Sequence, residues 1–168
     1  MEPNNVELIL AVFNGQDRPG VTASITSVLA DHDLTILVMG QADIHNHLTL
    51  GVLFATTSDG SGSILKDLLF RANELNVSVT FRIVDPEEYS KWVGLQGKNK
   101  YIVTILSKTI SAGMVAAITK EVANQGMNID DLNRLTGRIP LTMHERVPQA
   151  SIEISVRGTP TDREQLQK

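Results

Sequence analysis

Alternation of apolar and polar positions divides the chain into short strands and two-faced helices. Val6, Leu8, Leu10 and Val12 share one side of a first strand. Ile9, Ala11 and Phe13 make its other side apolar too, which predicts a central strand buried on both faces. Val21, Ile25, Val28 and Leu29 recur at helical spacing, with Thr22, Ser24 and Ser27 between them. Leu34, Ile36 and Val38 open a second strand that runs to about Ala42. Leu48, Leu50, Val52 and Phe54 form a third with period two, and Ile44 to His47 supply the hairpin turn. Asp59-Gly60-Ser61-Gly62-Ser63 reads as a loop that leads into a second helix, marked by Ile64, Leu68, Ala72 and Leu75. Val77 to Ile83 alternates as a fourth strand.

The order βαββαβ predicts an α+β fold, a ferredoxin-like sandwich of an antiparallel sheet with helices on one face. Asp85-Pro86-Glu87-Glu88 then breaks the pattern, and residues 85–99 read as a linker with a short helical turn. Trp92 would pin that linker to a domain surface, with a ligand platform as the other reading. After the linker the pattern restarts. Shifted by about 93 residues, the chain matches itself without a gap for some thirty positions. Leu8–Phe13 overlays Tyr101–Leu106, and Val21, Ile25 and Leu29 overlay Met114, Ile118 and Val122. Gly20, Ala23, Thr26, Ala30 and Ile36 meet identical residues at Gly113, Ala116, Thr119, Ala123 and Ile129.

Two copies of one unit are therefore expected, a first domain over 1–84 and a second over 100–168. In the second copy Gly137 to Pro148 lengthens the hairpin loop, and Ile152, Ile154 and Val156 mark the third strand. Thr159-Pro160-Thr161-Asp162 has the chemistry of a helix start. No counterpart of Val77–Ile83 follows before Lys168, so the second unit is expected to be cut before its last strand and the chain to be a fragment.

Composition narrows the function. Hydrophobic content of 42% with 20% charged residues is that of a globular protein. A net charge of -4 and only 4% aromatic residues count against nucleic-acid binding. The absence of cysteine excludes disulfides, thiolate metal sites and cysteine nucleophiles. Met1 to Asn5 has no basic leader, and the apolar run after it is too short to span a membrane, which points to the cytoplasm.

Candidate chemistry gathers in Asn14-Gly15-Gln16-Asp17-Arg18-Pro19-Gly20-Val21, between the first strand and first helix. Pro19 presets φ and Gly20 permits close backbone approach. A helix N-terminus offers free N–H groups and partial positive charge to a carboxylate or phosphate. The plainer reading is a tight connection. Asp43, His45 and His47 have metal-like spacing but sit where the hairpin turn is expected. His32 and His144 read as surface loop residues, and Arg134 and Arg138 as a solvated hairpin or a phosphate contact.

A βαββαβ unit with Asp17-Arg18-Pro19-Gly20-Val21 after its first strand resembles an ACT domain, the small-molecule sensor of amino-acid metabolism. The tandem, with Arg134-Leu135-Thr136-Gly137-Arg138-Ile139-Pro140 and Ser155-Val156-Arg157-Gly158-Thr159-Pro160, is similar to the N-terminal half of two-ACT bacterial phosphoserine phosphatases. The resemblance implies ACT units paired side by side, within one chain or between the two chains of a homodimer. An amino-acid effector, L-serine or glycine, would sit between a first loop and a neighbour's second-strand start. Carried over, the ligand residues are Gly15, Asp17, Arg18, Pro19, Gly20 and Val21, with Asn128 on the strand side. Asn128 has a second reading, as a cap of the turn before its strand. The loop Ser107–Ala112 lacks this polar set, so one competent site per pair is implied.

The same resemblance asks for an Asp-x-Asp-x-Thr nucleophile. Asp31-His32-Asp33-Leu34-Thr35 has that spacing but lies at the end of a helical pattern, so no catalytic residue and no metal ligand is assigned. A haloacid-dehalogenase-type catalytic domain, with its Mg, is expected only beyond Lys168; none of this chain's residues implies a cofactor. The alternative is a non-enzymatic two-ACT regulator resembling glycine-cleavage repressor proteins.

Overall fold

The structure, a computed structural model, describes residues 6–32, 34–95, 99–136 and 150–158. The chain divides into two compact units, Met1–Val93 and Gly94–Lys168. The first runs β1 (Val6–Gln16), α1 (Val21–Asp31), β2 (Thr35–Ile44), β3 (His47–Thr57), α2 (Ser58–Glu74), β4 (Val77–Val84) and α3 (Pro86–Leu95). Its four strands form an antiparallel sheet in the order β2-β3-β1-β4. The doubly apolar β1 is central, as its pattern requires.

One face of the sheet carries Ile9, Ala11, Phe13, Leu48, Leu50, Val52, Phe54 and Val77 against Val21, Ile25, Leu29, Ile64, Leu68 and Ala72 of α1 and α2. The other face carries a smaller cluster of Leu8, Leu53 and Val84, to which Leu10, Val38 and Tyr89 add. Both faces of the sheet are thus packed, one by two helices and the other in part by α3. His45 and Asn46 make the β2–β3 turn with φ of 53° and 64°, the backbone that a two-residue hairpin needs to match strand twist.

Several boundaries differ from the sequence reading. β1 runs on through Asn14, Gly15 and Gln16, which pair in the ladder rather than opening the loop. Ile44 and His47 are strand residues that leave only His45 and Asn46 as the turn. Asp59 to Ser63 is not a loop; it lies in the first turns of α2, after Thr57 in extended backbone. Asp59 suits the positive end of the helix, and at Gly60 a side chain would meet the Thr57 hydroxyl at 3.2 Å. The stretch after Val84 is a ten-residue helix rather than a single turn. Asp85 starts it, its carboxylate accepting from the N–H groups of Glu87 (2.7 Å) and Glu88 (3.2 Å). Trp92 stacks on Tyr89.

The second unit contains β5 (Asn99–Ser107), α4 (Ala112–Asn124), β6 (Asn128–Arg134) and β7 (Ala150–Gly158), with sheet order β5-β7-β6. These are the first four elements of the βαββαβ order, in the same arrangement. The helix start read at Thr159–Asp162, the loop 137–148, Arg138 and His144 lie outside the described residues. Val122, Met127, Ile152, Ile154 and Val156 form the core, with Tyr101, Val103, Ile105 and Ile118 packed on it.

The units repeat in detail. Register shifts between Ile36 and Val38 in one and between Ile129 and Asp131 in the other, a bulge at the same place in both. The Thr26 hydroxyl donates to Thr22 O at 3.0 Å, and its counterpart Thr119 donates to Val115 O at 2.9 Å.

The gap-free overlay fails in the first strand. β1 faces its helices with Ile9, Ala11 and Phe13, whereas β5 does so with Tyr101, Val103 and Ile105. Pairing Ile9 with Ile102 would put a residue that is 60% exposed into the core. The strand match is therefore one residue shorter in offset than the helix match, because a one-residue slip turns every strand side chain over. The second copy carries its extra residue between strand and helix.

Candidate functional site

The strand-to-helix loop of the first unit is anchored at three points. The Asp17 N–H donates to Asn46 O at 2.9 Å, tying the loop to the β2–β3 turn. The Arg18 guanidinium donates to Leu75 O, the carbonyl of the C-cap residue just after α2. Gly20 adopts φ 94°, a left-handed backbone in which an L side chain is strained. Thr22 Oγ1 donates to Gln41 Oε1 at 2.7 Å, linking the first turn of α1 to β2.

These contacts leave the start of α1 open. Gly20 is the N-cap and no side chain caps the helix. Val21 N–H donates to Arg18 O and Ser24 N–H to Gly20 O, so the Thr22 and Ala23 N–H groups remain for an outside acceptor. Asp17 is half-buried beside them in sequence, while Arg18, Pro19 and Gly20 are exposed and Val21 is buried in the core. Such a helix start offers backbone donors to an anionic group.

Gly15 and Arg18 have structural duties that sequence did not reveal. A Cβ at Gly15 would stand 2.6 Å from Val77 Cγ1, so glycine is what lets β1 and β4 approach there. Arg18 spends its guanidinium on a main-chain carbonyl 57 residues away. Thr22, Gln41 and Asn46 were not singled out from sequence, and nothing in their spacing signals these contacts.

The equivalent loop of the second unit is closed by its own side chain. Ser111 is the N-cap of α4 and its hydroxyl accepts from Met114 N–H at 3.2 Å. Replacing Ser111 with alanine is expected to cost about 1 kcal/mol. Urea denaturation checks this, together with faster amide exchange in the first turn of α4. Asn128 opens β6 and is exposed. The turn before it is closed by main chain, with Gly126 at φ 67° and Met127 N–H on Val122 O.

Asp31 ends α1 and Thr35 starts β2, so the Asp-x-Asp-x-Thr-like spacing spans a helix-to-strand turn, with Asp33 outside the described residues. His32 pairs with Asp67 at 2.9 Å. His45 lies in the hairpin turn between Asp43 of β2 and His47 of β3. Among the described residues no group of three or more His, Cys, Asp or Glu side chains is placed to hold a metal ion. Arg134 Nε donates to the Thr136 hydroxyl at 3.1 Å. No described helix is long and apolar enough to cross a membrane.

Residues 7–82, from β1 to β4, match the family model of the ACT domain. The first unit is an ACT domain. The second unit repeats the order and the bulge of that ACT domain as far as its described residues go. The phosphoserine phosphatase SerB2 of Mycobacterium tuberculosis is 31% identical over 130 residues, 76% of this chain and 30% of that protein. A phosphoserine phosphatase of Streptomyces coelicolor is 24% identical over 164 residues, 96% of this chain and 36% of that protein. The chain thus spans about a third of the length of these relatives.

Two solved structures share the fold. One, described as a glycine cleavage system transcriptional repressor, superposes with a TM-score of 0.68 at 17% identity, covering 96% of this chain and 86% of that one. The other, a protein of unknown function from Galdieria sulphuraria, gives 0.72 at 16% identity over 96% and 88%.

Proposed function

We propose that this chain is the amino-acid-sensing regulatory part of a phosphoserine phosphatase of L-serine biosynthesis, with L-serine as effector and catalysis in a Mg-dependent domain beyond Lys168. The observation that carries the reading is the uncapped start of α1 behind Asp17–Gly20, in an ACT domain similar in sequence to phosphoserine phosphatases. The effector's carboxylate would take the Thr22 and Ala23 N–H groups, and Asp17 would accept from its ammonium. Asn128 is assigned the strand side of such a site, and two chains would pair as a homodimer through their ACT units. The Ser111 cap gives the second loop a filled helix end, which favours one competent loop per chain.

Calorimetric titration with L-serine, then glycine and phosphoserine, tests this directly. Serine is expected to bind saturably, and Asp17→Ala to weaken it by about 10- to 100-fold, the loss of a charge-assisted hydrogen bond. Asn128→Ala tests the strand side in the same way. Absence of binding by any amino acid to folded protein would refute the sensor reading.

A second reading, a two-ACT regulator without catalytic domain, draws on the near-complete coverage of both chains in the repressor superposition. Reading the gene past the Lys168 codon separates the two. A strand followed by Asp-x-Asp-x-Thr supports the phosphatase, and a stop codon supports the regulator.

A further inference from the structure

The face of the first sheet opposite α1 and α2 holds a cavity of about 220 Å³ beneath α3. Leu10, Val38, Leu53 and Val84 form its apolar floor, and α3 contributes Tyr89 and Trp92. The two rings stack with centroids 6.2 Å apart and planes at 28°. Arg82 and Glu88 complete the lining, and one Arg82 nitrogen donates to both Glu88 oxygens at 2.7 and 2.9 Å. Every one of these residues belongs to the first unit, and none takes part in the Asp17–Gly20 loop.

The chemistry of the lining describes an occupant. The apolar floor and the aromatic pair suit a flat ring, which prefers offset contact with other rings. The volume is below the ~300–1,000 Å³ of drug-sized sites, which limits the occupant to about one ring with a short chain. A guanidinium at the edge of such a cavity selects a carboxylate. Glu88 already sits on Arg82 as a carboxylate would. Both side chains are more than half exposed, so their pair is weak and exchangeable.

We propose that this cavity binds a small monocarboxylate bearing a single aromatic ring. The ring lies on the floor against Tyr89 and Trp92, and the carboxylate replaces Glu88 on Arg82. Binding at this site is independent of the amino-acid loop.

Trp92 is the only tryptophan of the chain, so its emission reports on the cavity. Titration with 3-phenylpropionate is expected to change that emission saturably. The neutral 3-phenylpropan-1-ol should bind at least about tenfold more weakly, as should the acid to Arg82→Met, which keeps the side-chain stem. Glu88→Gln removes the internal competitor and is expected to tighten the acid severalfold, an outcome that loss of folding cannot mimic. Asp17→Ala should leave the titration unchanged. No saturable response, equal response to acid and alcohol, or weakening by Glu88→Gln in step with Arg82→Met would each overturn the proposal.

Discussion

Truncating Phe54 to alanine is expected to lower the stability of the first unit by about 3–5 kcal/mol. Phe54 is fully buried and stands opposite Ile9 of β1 and Ile36 of β2. Its ring fills the space between the sheet and α1 and α2. β3 is hydrogen-bonded on both edges, so neither neighbour can move in to close the hole without breaking a ladder. A domain of ordinary stability has about 5–15 kcal/mol in hand, which makes this one change a large fraction of the whole. Urea denaturation followed by circular dichroism measures it, with Ile83→Ala as the control. Ile83 is on the same sheet but 71% exposed, and its truncation should cost within about 0.5 kcal/mol. Equal effects of the two substitutions would contradict this assignment of the core.

Adding a single methyl group at position 15 is expected to destabilise by about 1–3 kcal/mol through overpacking. Gly15 faces Val77 in the β1–β4 ladder. An alanine Cβ would meet Val77 Cγ1 at 2.6 Å and Val77 Cα at 3.1 Å. The first contact is with a short branched side chain and the second with backbone, so the strands must shift. Val77→Ala in the same chain removes the closer contact and should recover part of the loss, and a double-mutant cycle gives the coupling. This separates packing from recognition in the candidate loop. Gly15→Ala would weaken effector binding along with stability, whereas Asp17→Ala should weaken binding while leaving stability nearly unchanged.

The architecture was legible because apolar spacing carries it. Period-two runs marked the strands of the first unit, and Val21, Ile25 and Leu29 marked α1, since burial on one face is what those periods record. β5 and β6 were legible only through the repeat, β6 being the polar run Asn128–Arg134. The start of α2 was missed because Gly60 and Gly62 are poor helix formers on their own, and there position in the fold outweighs propensity. The helix α3 hid behind Pro86 and a polar composition. The strand slip in the repeat arose because β1 is apolar on both sides, so alternation alone does not say which side meets the helices. The candidate loop was legible as a location, from Pro19 and Gly20, but its anchoring was not. Arg18 reaches a backbone carbonyl at Leu75, and Gly15 is set by Val77; both partners are distant in sequence and neither carries a motif.

The extra residue between β5 and α4 bears on any attempt to transplant the sensing loop. Writing Asp-Arg-Pro over Ile110-Ser111-Ala112 would reproduce the letters of the first loop on a connection of different length. Ser111→Ala alone would unplug the helix end without recreating the turn that Gly20 makes at φ 94°. A faithful graft must delete one residue between Ile105 and Gly113 as well as exchange the side chains. The two loops are alternative solutions to one connection, and a swap between them is a problem of length before it is one of composition.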